Sequence, residues 1–317
     1  MKKICFMHQA SIGDMLMVTP TYRAVKECFP DCKTIVITSH AGYEMMLGNP
    51  HIDKLIAYRK GDPVLPIITG IWRSDIAVIF DYHYRNALYA MLALIPKRMG
   101  YGKDLINVHL KDEPLELFEP LKYLAAVEPL GIRTDDLTLT RPVATVEDRK
   151  HVDDLTSSID VRKLVIIVPY SLSTIKDWSA DRYRELIRRL GSKGYATAIV
   201  GGKEQFDRAA KDFPDAINLC GATNLRESAE IISRARLYIS GCTAMLHVCS
   251  TTDTPSIALY GPTIPEQWAP KKNCTVIYHR MPCSPCYNLT DEPCRDNRCI
   301  KSITVDEVWS AVENILG

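Results

Sequence analysis

Asp14 ends the run Ser11-Ile12-Gly13-Asp14, where a short apolar segment gives way to a helical pattern. A carboxylate in that place is either a helix cap, the simpler reading on spacing, or a base that takes a proton from a hydroxyl. The glycine before it lets main chain come close to a ligand. A second polar run, residues 169–179, carries Ser171, Ser173, Thr174 and Lys176 directly after a β-branched run. Hydroxyl donors with one ammonium suit a diphosphate, although a solvated loop with Ser179 as a helix cap fits equally. Glu204 follows Gly201-Gly202-Lys203. It either accepts hydrogen bonds from ribose hydroxyls or stands exposed beside a glycine turn. In the run Ser240-Gly241-Cys242-Thr243-Ala244-Met245-Leu246-His247, a strand pattern passes through small residues into a helix. The amides of Thr243, Ala244 and Met245 are then available to an anion, and His247, one turn in, faces a ligand or the core.

Cys283, Cys286, Cys294 and Cys299 are spaced Cys-x2-Cys-x7-Cys-x4-Cys among turn-forming residues. Four thiolates close a tetrahedral shell around zinc, or iron in some settings, with a structural role. Two disulfides or four free thiols are the alternatives. Metal is preferred because the chain shows no export signal.

These groups need elements to hold them. Short β-branched runs at 3–7, 34–38, 75–81, 164–168, 196–201, 216–219, 237–240, 256–260 and 275–278 predict strands. Helical patterns fall at 15–28, 180–193, 224–234, 245–250 and 305–316. That alternation predicts an α/β protein with parallel sheets, which bind ligands beyond the carboxyl ends of their strands. A charged stretch without strand pattern, 142–161, marks a boundary, giving domains 1–155 and 156–317 that are Rossmann-like and face an interdomain cleft.

Composition narrows the function. With 39 Lys and Arg against 38 Asp and Glu, the net charge is +1, so no basic field argues for nucleic acid as a partner. The apolar start at residues 4–7 is too short for a signal-peptide core, and no run approaches the roughly 20 residues that span a bilayer. The expectation is a cytoplasmic protein with at most peripheral membrane contact.

Taken in order, Ser-Ile-Gly-Asp with Thr19-Pro20, Pro169-Tyr170-Ser171 with Lys176-Asp177-Trp178, Gly-Gly-Lys-Glu, Asn218-Leu219-Cys220-Gly221, the helix bearing His247, and Ala258-Leu259-Tyr260-Gly261-Pro262-Thr263 cover nearly the whole chain. Together they resemble the bacterial heptosyltransferases of glycosyltransferase family 9. The resemblance implies GT-B architecture, an acceptor in the N-terminal domain, a nucleotide sugar in the C-terminal one, and inversion at the anomeric carbon. It implies ADP-heptose as donor and a lipopolysaccharide core or lipid-linked glycan as acceptor, with Asp14 as base. Ser171, Ser173, Thr174, Lys176, Glu204, Cys242, Thr243, Ala244 and His247 would bind the donor, and no cofactor is required for the chemistry. The last helix would return toward the N-terminal domain.

One departure is chemical. The family pattern has Asp-Ser/Thr-Gly-Pro where this chain reads Cys242-Thr243-Ala244-Met245. A thiol replaces a strong acceptor and a methyl group narrows the approach to main chain. The alternative is therefore a nucleotide-sugar-binding homologue with lost or altered transfer. A nicotinamide oxidoreductase is disfavoured, since no Gly-x-Gly-x-x-Gly follows the first strand.

Overall fold

The structure, a computed structural model, describes residues 2–287, 294 and 296–317. The chain divides into two compact units, Met1–Val143 and Ala144–Gly317.

The first unit holds β1 (Lys3–His8), β2 (Lys33–Thr38), β3 (Lys54–Ala57), β4 (Ile76–Ile79), β5 (Lys97–Gly100) and β6 (Val108–His109), in the order β3-β2-β1-β4-β5-β6. All pairs are parallel, with Cys5 opposite Ile35 on one side and Ala77 on the other. Ile4, Cys5, Phe6 and Met7 are fully buried, so both faces of β1 are covered, as parallel sheets require. The helix expected at 15–28 is two helices, Ile12–Met17 and Thr19–Cys28. Pro20 has no N–H to give the Leu16 carbonyl, and the Thr19 hydroxyl donates to it instead at 2.6 Å. The first helix therefore starts earlier than expected and contains Asp14.

Three strands of this unit, β3, β5 and β6, have no counterpart in the expected set. They lie toward the sheet edges, where polar residues are tolerated. In β5, Arg98 turns charge to use by donating to Leu105 O at 2.6 Å and Ile95 O at 2.7 Å.

The second unit holds β7 (Leu164–Val168), β8 (Ala196–Ile199), β9 (Ile217–Asn218), β10 (Leu237–Gly241), β11 (Ser256–Tyr260) and β12 (Cys274–Tyr278), in the order β12-β11-β10-β7-β8-β9. Counted from its own first strand, this is the same parallel order as the first unit. Tyr183, Leu186 and Leu190 of the helix Ala180–Ser192 cover Val165, Ile167, Ile239 and Ile257. The final helix, Val305–Leu316, adds Val308, Ala311 and Val312 to that core. It belongs to the second unit, correcting the expectation that it returns to the first; Arg189 holds Asp306 at 2.7 Å and Trp178 donates to Ile303 O at 2.9 Å.

The unit boundary also falls earlier than residue 155. Helix Val146–Thr156 opens on a Thr145/Asp148 capping box, and Asp148 then accepts from Arg226 at 2.7 Å and Asn224 at 2.9 Å. His151 meets Glu227 at 2.9 Å and Asp153 meets Arg234 at 2.5 Å. Most of the charged stretch is thus a helix paired to the helix Leu225–Arg234. Among the described residues no helix is long and apolar enough to cross a membrane.

Candidate functional site

In a sheet of this order the chain leaves the central strand in one direction and later resumes beside it in the other. The crevice between those two strands, at their carboxyl ends, is where open α/β sheets bind ligands. It lies between β1 and β4 in the first unit and between β7 and β10 in the second.

Asp14 sits in the first turn of the helix that follows β1. Its carboxylate accepts the Ser11 hydroxyl at 2.5 Å. Beside it, His8 ends β1 and packs edge-on against Phe80 and Tyr123, with centroids 5.2 and 5.0 Å away. His8 is buried, and burial lowers its pKa to about 3 against the opposing pull of the Asp14 main chain. It is a neutral imidazole at pH 7. Burial, with the Asp14 charge nearby, also pushes the Tyr123 phenol well up. A pocket beyond β4, lined by Asp81, Tyr82, His83, Tyr84 and Lys103, adds groups that sequence reasoning missed. Burial raises the Asp81 pKa, while hydrogen bonds from the His83 amide and Asn86 at 2.6 Å oppose the shift.

In the second unit, Ser171, Ser173, Thr174 and Lys176 leave β7, while Cys242, Thr243, Ala244 and His247 leave its neighbour β10. Glu204 follows β8 on the other side of β7 and is exposed. Asp177 shapes the first loop. Its Oδ1 accepts the Ser171 amide at 2.8 Å and hydroxyl at 2.7 Å, and the same hydroxyl reaches Ser173 O at 2.6 Å. Gly241 joins the two loops, for a Cβ there would stand 3.2 Å from the Lys176 carbonyl oxygen.

The helix after β10 has only six residues, Ala244–Cys249, with Thr243 at its N-cap making no side-chain cap. His247 Nδ1 is buried without a partner among the described residues. Burial lowers the His247 pKa to about 4, and the Lys176 charge adds to the shift. Cys242 is buried beside Tyr260, whose phenol is pushed far up by burial first and by that thiol second. Lys176 has a neighbour that the sequence did not announce. Its ammonium lies 4.4 Å from the centroid of the Tyr287 ring.

The metal shell expected of Cys283, Cys286, Cys294 and Cys299 is not formed. Among the described residues no three His, Cys, Asp or Glu side chains converge as one, and every cysteine is a free thiol. Cys299 is buried in the short helix Arg298–Lys301 against Gly261, and Cys294 accepts the Asn297 amide at 3.2 Å. The four are still near enough to interact: the Cys286 thiol is pushed up by burial and then by the other three. Residues 288–293 and 295, between these cysteines, lie outside the described set.

The family model of glycosyltransferase family 9 (heptosyltransferase) matches residues 106–294, more than half of the chain. The chain belongs to glycosyltransferase family 9. This family 9 glycosyltransferase is 24% identical to lipooligosaccharide heptosyltransferase 2 of Haemophilus influenzae, covering 84% of its own length and 85% of the relative. Its identity to lipopolysaccharide heptosyltransferase 3 of Escherichia coli K12 is also 24%, with 96% and 95% covered. Among solved structures it resembles a family 9 glycosyl transferase from Veillonella parvula at a TM-score of 0.85 and 20% identity, with 99% and 97% covered. It resembles the E. coli ADP-heptose lps heptosyltransferase II at 0.80 and 21%, with 100% and 98% covered. The expected fold class, two parallel-sheet Rossmann-like units of the GT-B kind, is the one found.

Proposed function

We propose that this family 9 glycosyltransferase moves heptose from ADP-heptose to a hydroxyl of a lipopolysaccharide core or related lipid-linked glycan, with inversion at the anomeric carbon. The observation that carries the reading is the matched position of Asp14 and Lys176, each in the segment leaving the central strand of its own sheet at the switch point. The names of its relatives support heptose and lipopolysaccharide. The first unit takes the acceptor and the second the donor. Activity belongs in the cytoplasm, with at most peripheral contact with the membrane that carries the acceptor.

In this reading Asp14 accepts the proton of the attacking hydroxyl as its oxygen bonds to the anomeric carbon. The bond from that carbon to the diphosphate breaks with its electron pair on ADP. Lys176, with the hydroxyls of Ser171, Ser173 and Thr174 and the amides of Thr243 and Ala244, stabilises the departing charge. Glu204 accepts from the ribose hydroxyls. His247, neutral because it is buried, offers Nδ1 to the donor without adding charge. Cys242 stands where the family pattern has a carboxylate, so contact with the sugar there rests on the remaining groups. A structural metal is left out of this reading because the described cysteines do not fit one.

Incubation with ADP-heptose and a heptose-deficient core acceptor is expected to release ADP and to add one heptose by mass spectrometry. Release from a different nucleotide sugar alone would replace the donor. ADP binding without transfer to any acceptor would turn the reading to the nucleotide-sugar-binding homologue.

A further inference from the structure

We infer that Tyr287 is a positioning residue of the donor site, holding the Lys176 ammonium in place for the diphosphate; this rests on the donor reading above. The Tyr287 ring lies 4.4 Å from the Lys176 ammonium, inside the range at which an aromatic face attracts a cation. Among the described residues the ammonium makes no ion pair. That combination matters chemically. A carboxylate partner would fix the lysine but cancel its charge and compete with the diphosphate, whereas an aromatic face fixes it and leaves the charge and its N–H donors available.

The ring is also held in place. The amides of Cys286 and Tyr287 both donate to Pro262 O, at 2.9 and 2.8 Å, and Ser284 donates to Gly261 O. Farther along the same segment, Asn297 reaches Ile175 O at 3.5 Å, beside Lys176 itself. Two anchors thus tie the cysteine-bearing segment to the loop after β11 and to the loop that carries Lys176. The Lys176 charge also helps to lower the pKa of buried His247. A flexible lysine stem whose ammonium already rests on a ring loses less freedom when an anion arrives, so the site is preorganised for the diphosphate.

Calorimetry with ADP on the full chain tests this. Tyr287→Phe keeps the aromatic face and is expected to bind ADP as the wild type does. Tyr287→Leu is expected to bind about two- to fivefold more weakly. In a Lys176→Ala background the Leu change should cost nothing further, because the interaction is already gone. Wild-type affinity in Tyr287→Leu, or the same loss with and without Lys176, overturns the inference and leaves the donor reading standing. Weakened binding by Tyr287→Phe overturns it too, even if the Leu variant does not fold. Unchanged ADP affinity in Lys176→Ala alone removes the donor reading, and the inference with it.

Discussion

The Ser11 hydroxyl is bonded to the Asp14 carboxylate at 2.5 Å, although Ser11 holds the N-cap of the helix and gives that helix no side-chain cap. Asp14 is thus the partner of the cap residue rather than the cap, and its second oxygen is available for a proton. Asp14→Asn keeps the shape and a partner for Ser11 while removing basicity. Transfer is expected to fall by about 100-fold or more, with an unchanged thermal midpoint. Near-normal turnover would return Asp14 to a purely local role at the helix start.

Lys176→Ala is expected to weaken ADP binding by about 1.5–3 kcal/mol in calorimetry, the scale of a hydrogen bond to a charged group. Gly241→Ala probes the same lysine through main chain. The new Cβ would sit 3.2 Å from the Lys176 carbonyl oxygen, an atom unable to rotate aside, so the loop must shift. A loss of up to about tenfold in ADP affinity is expected. Full affinity in Gly241→Ala would mean that the loop yields without moving the ammonium.

His8 and His247 make stability depend on pH. Unfolded, each binds its proton with a pKa near 6.5; folded, burial lowers these to about 3 and about 4. Below about pH 6.5 the unfolded chain binds more protons, so stability is complete above that value and is lost as pH falls toward the folded values. Between pH 7 and pH 5 each histidine removes about 2 kcal/mol. Urea unfolding at the two pH values should show His8→Asn and His247→Asn to be less pH-sensitive than the wild type. Identical slopes in all three would mean that neither imidazole resists protonation.

Asp148 is almost wholly buried, and the Arg226 guanidinium is the main reason that its pKa stays far below the usual carboxylate range. Arg226→Ala leaves that charge unpaired and is expected to cost about 3–5 kcal/mol in chemical denaturation. Changing both partners, Asp148→Asn with Arg226→Met, removes both charges while keeping an acceptor for Thr145 and Asn224, and should recover part of the loss. A single variant as stable as the wild type would show that water reaches Asp148 and replaces the arginine.

The strands at the centre of each sheet were legible because burial on two faces leaves them no room for charge. Leu164–Val168 and Ser256–Tyr260 appear with the expected bounds. β5 escaped because Lys97 and Arg98 argue against a strand, and only the structure shows Arg98 turned back onto nearby carbonyls. The positions of Asp14, Lys176 and His247 could be read from strand-to-turn-to-helix transitions. Tyr287 could not: it reaches Lys176 through a segment distant in sequence, and a lone tyrosine among cysteines has no period. The cysteine spacing suggested a shell because spacing carries no direction. Cys299 is drawn into the packing against Gly261, and no three of the described thiols converge as a metal shell.

Each sheet is built from one continuous stretch of chain, and in each the strand made first, β1 or β7, is paired on both sides by strands made later. During synthesis the ribosome therefore releases the central strand of each half before its neighbours exist. Ile4, Cys5, Phe6 and Met7 must wait for Ile76–Ile79 before their second edge is closed. The nascent chain is at its stickiest early and again just past the midpoint, which makes those two intervals the ones in which a holding chaperone has most to cover.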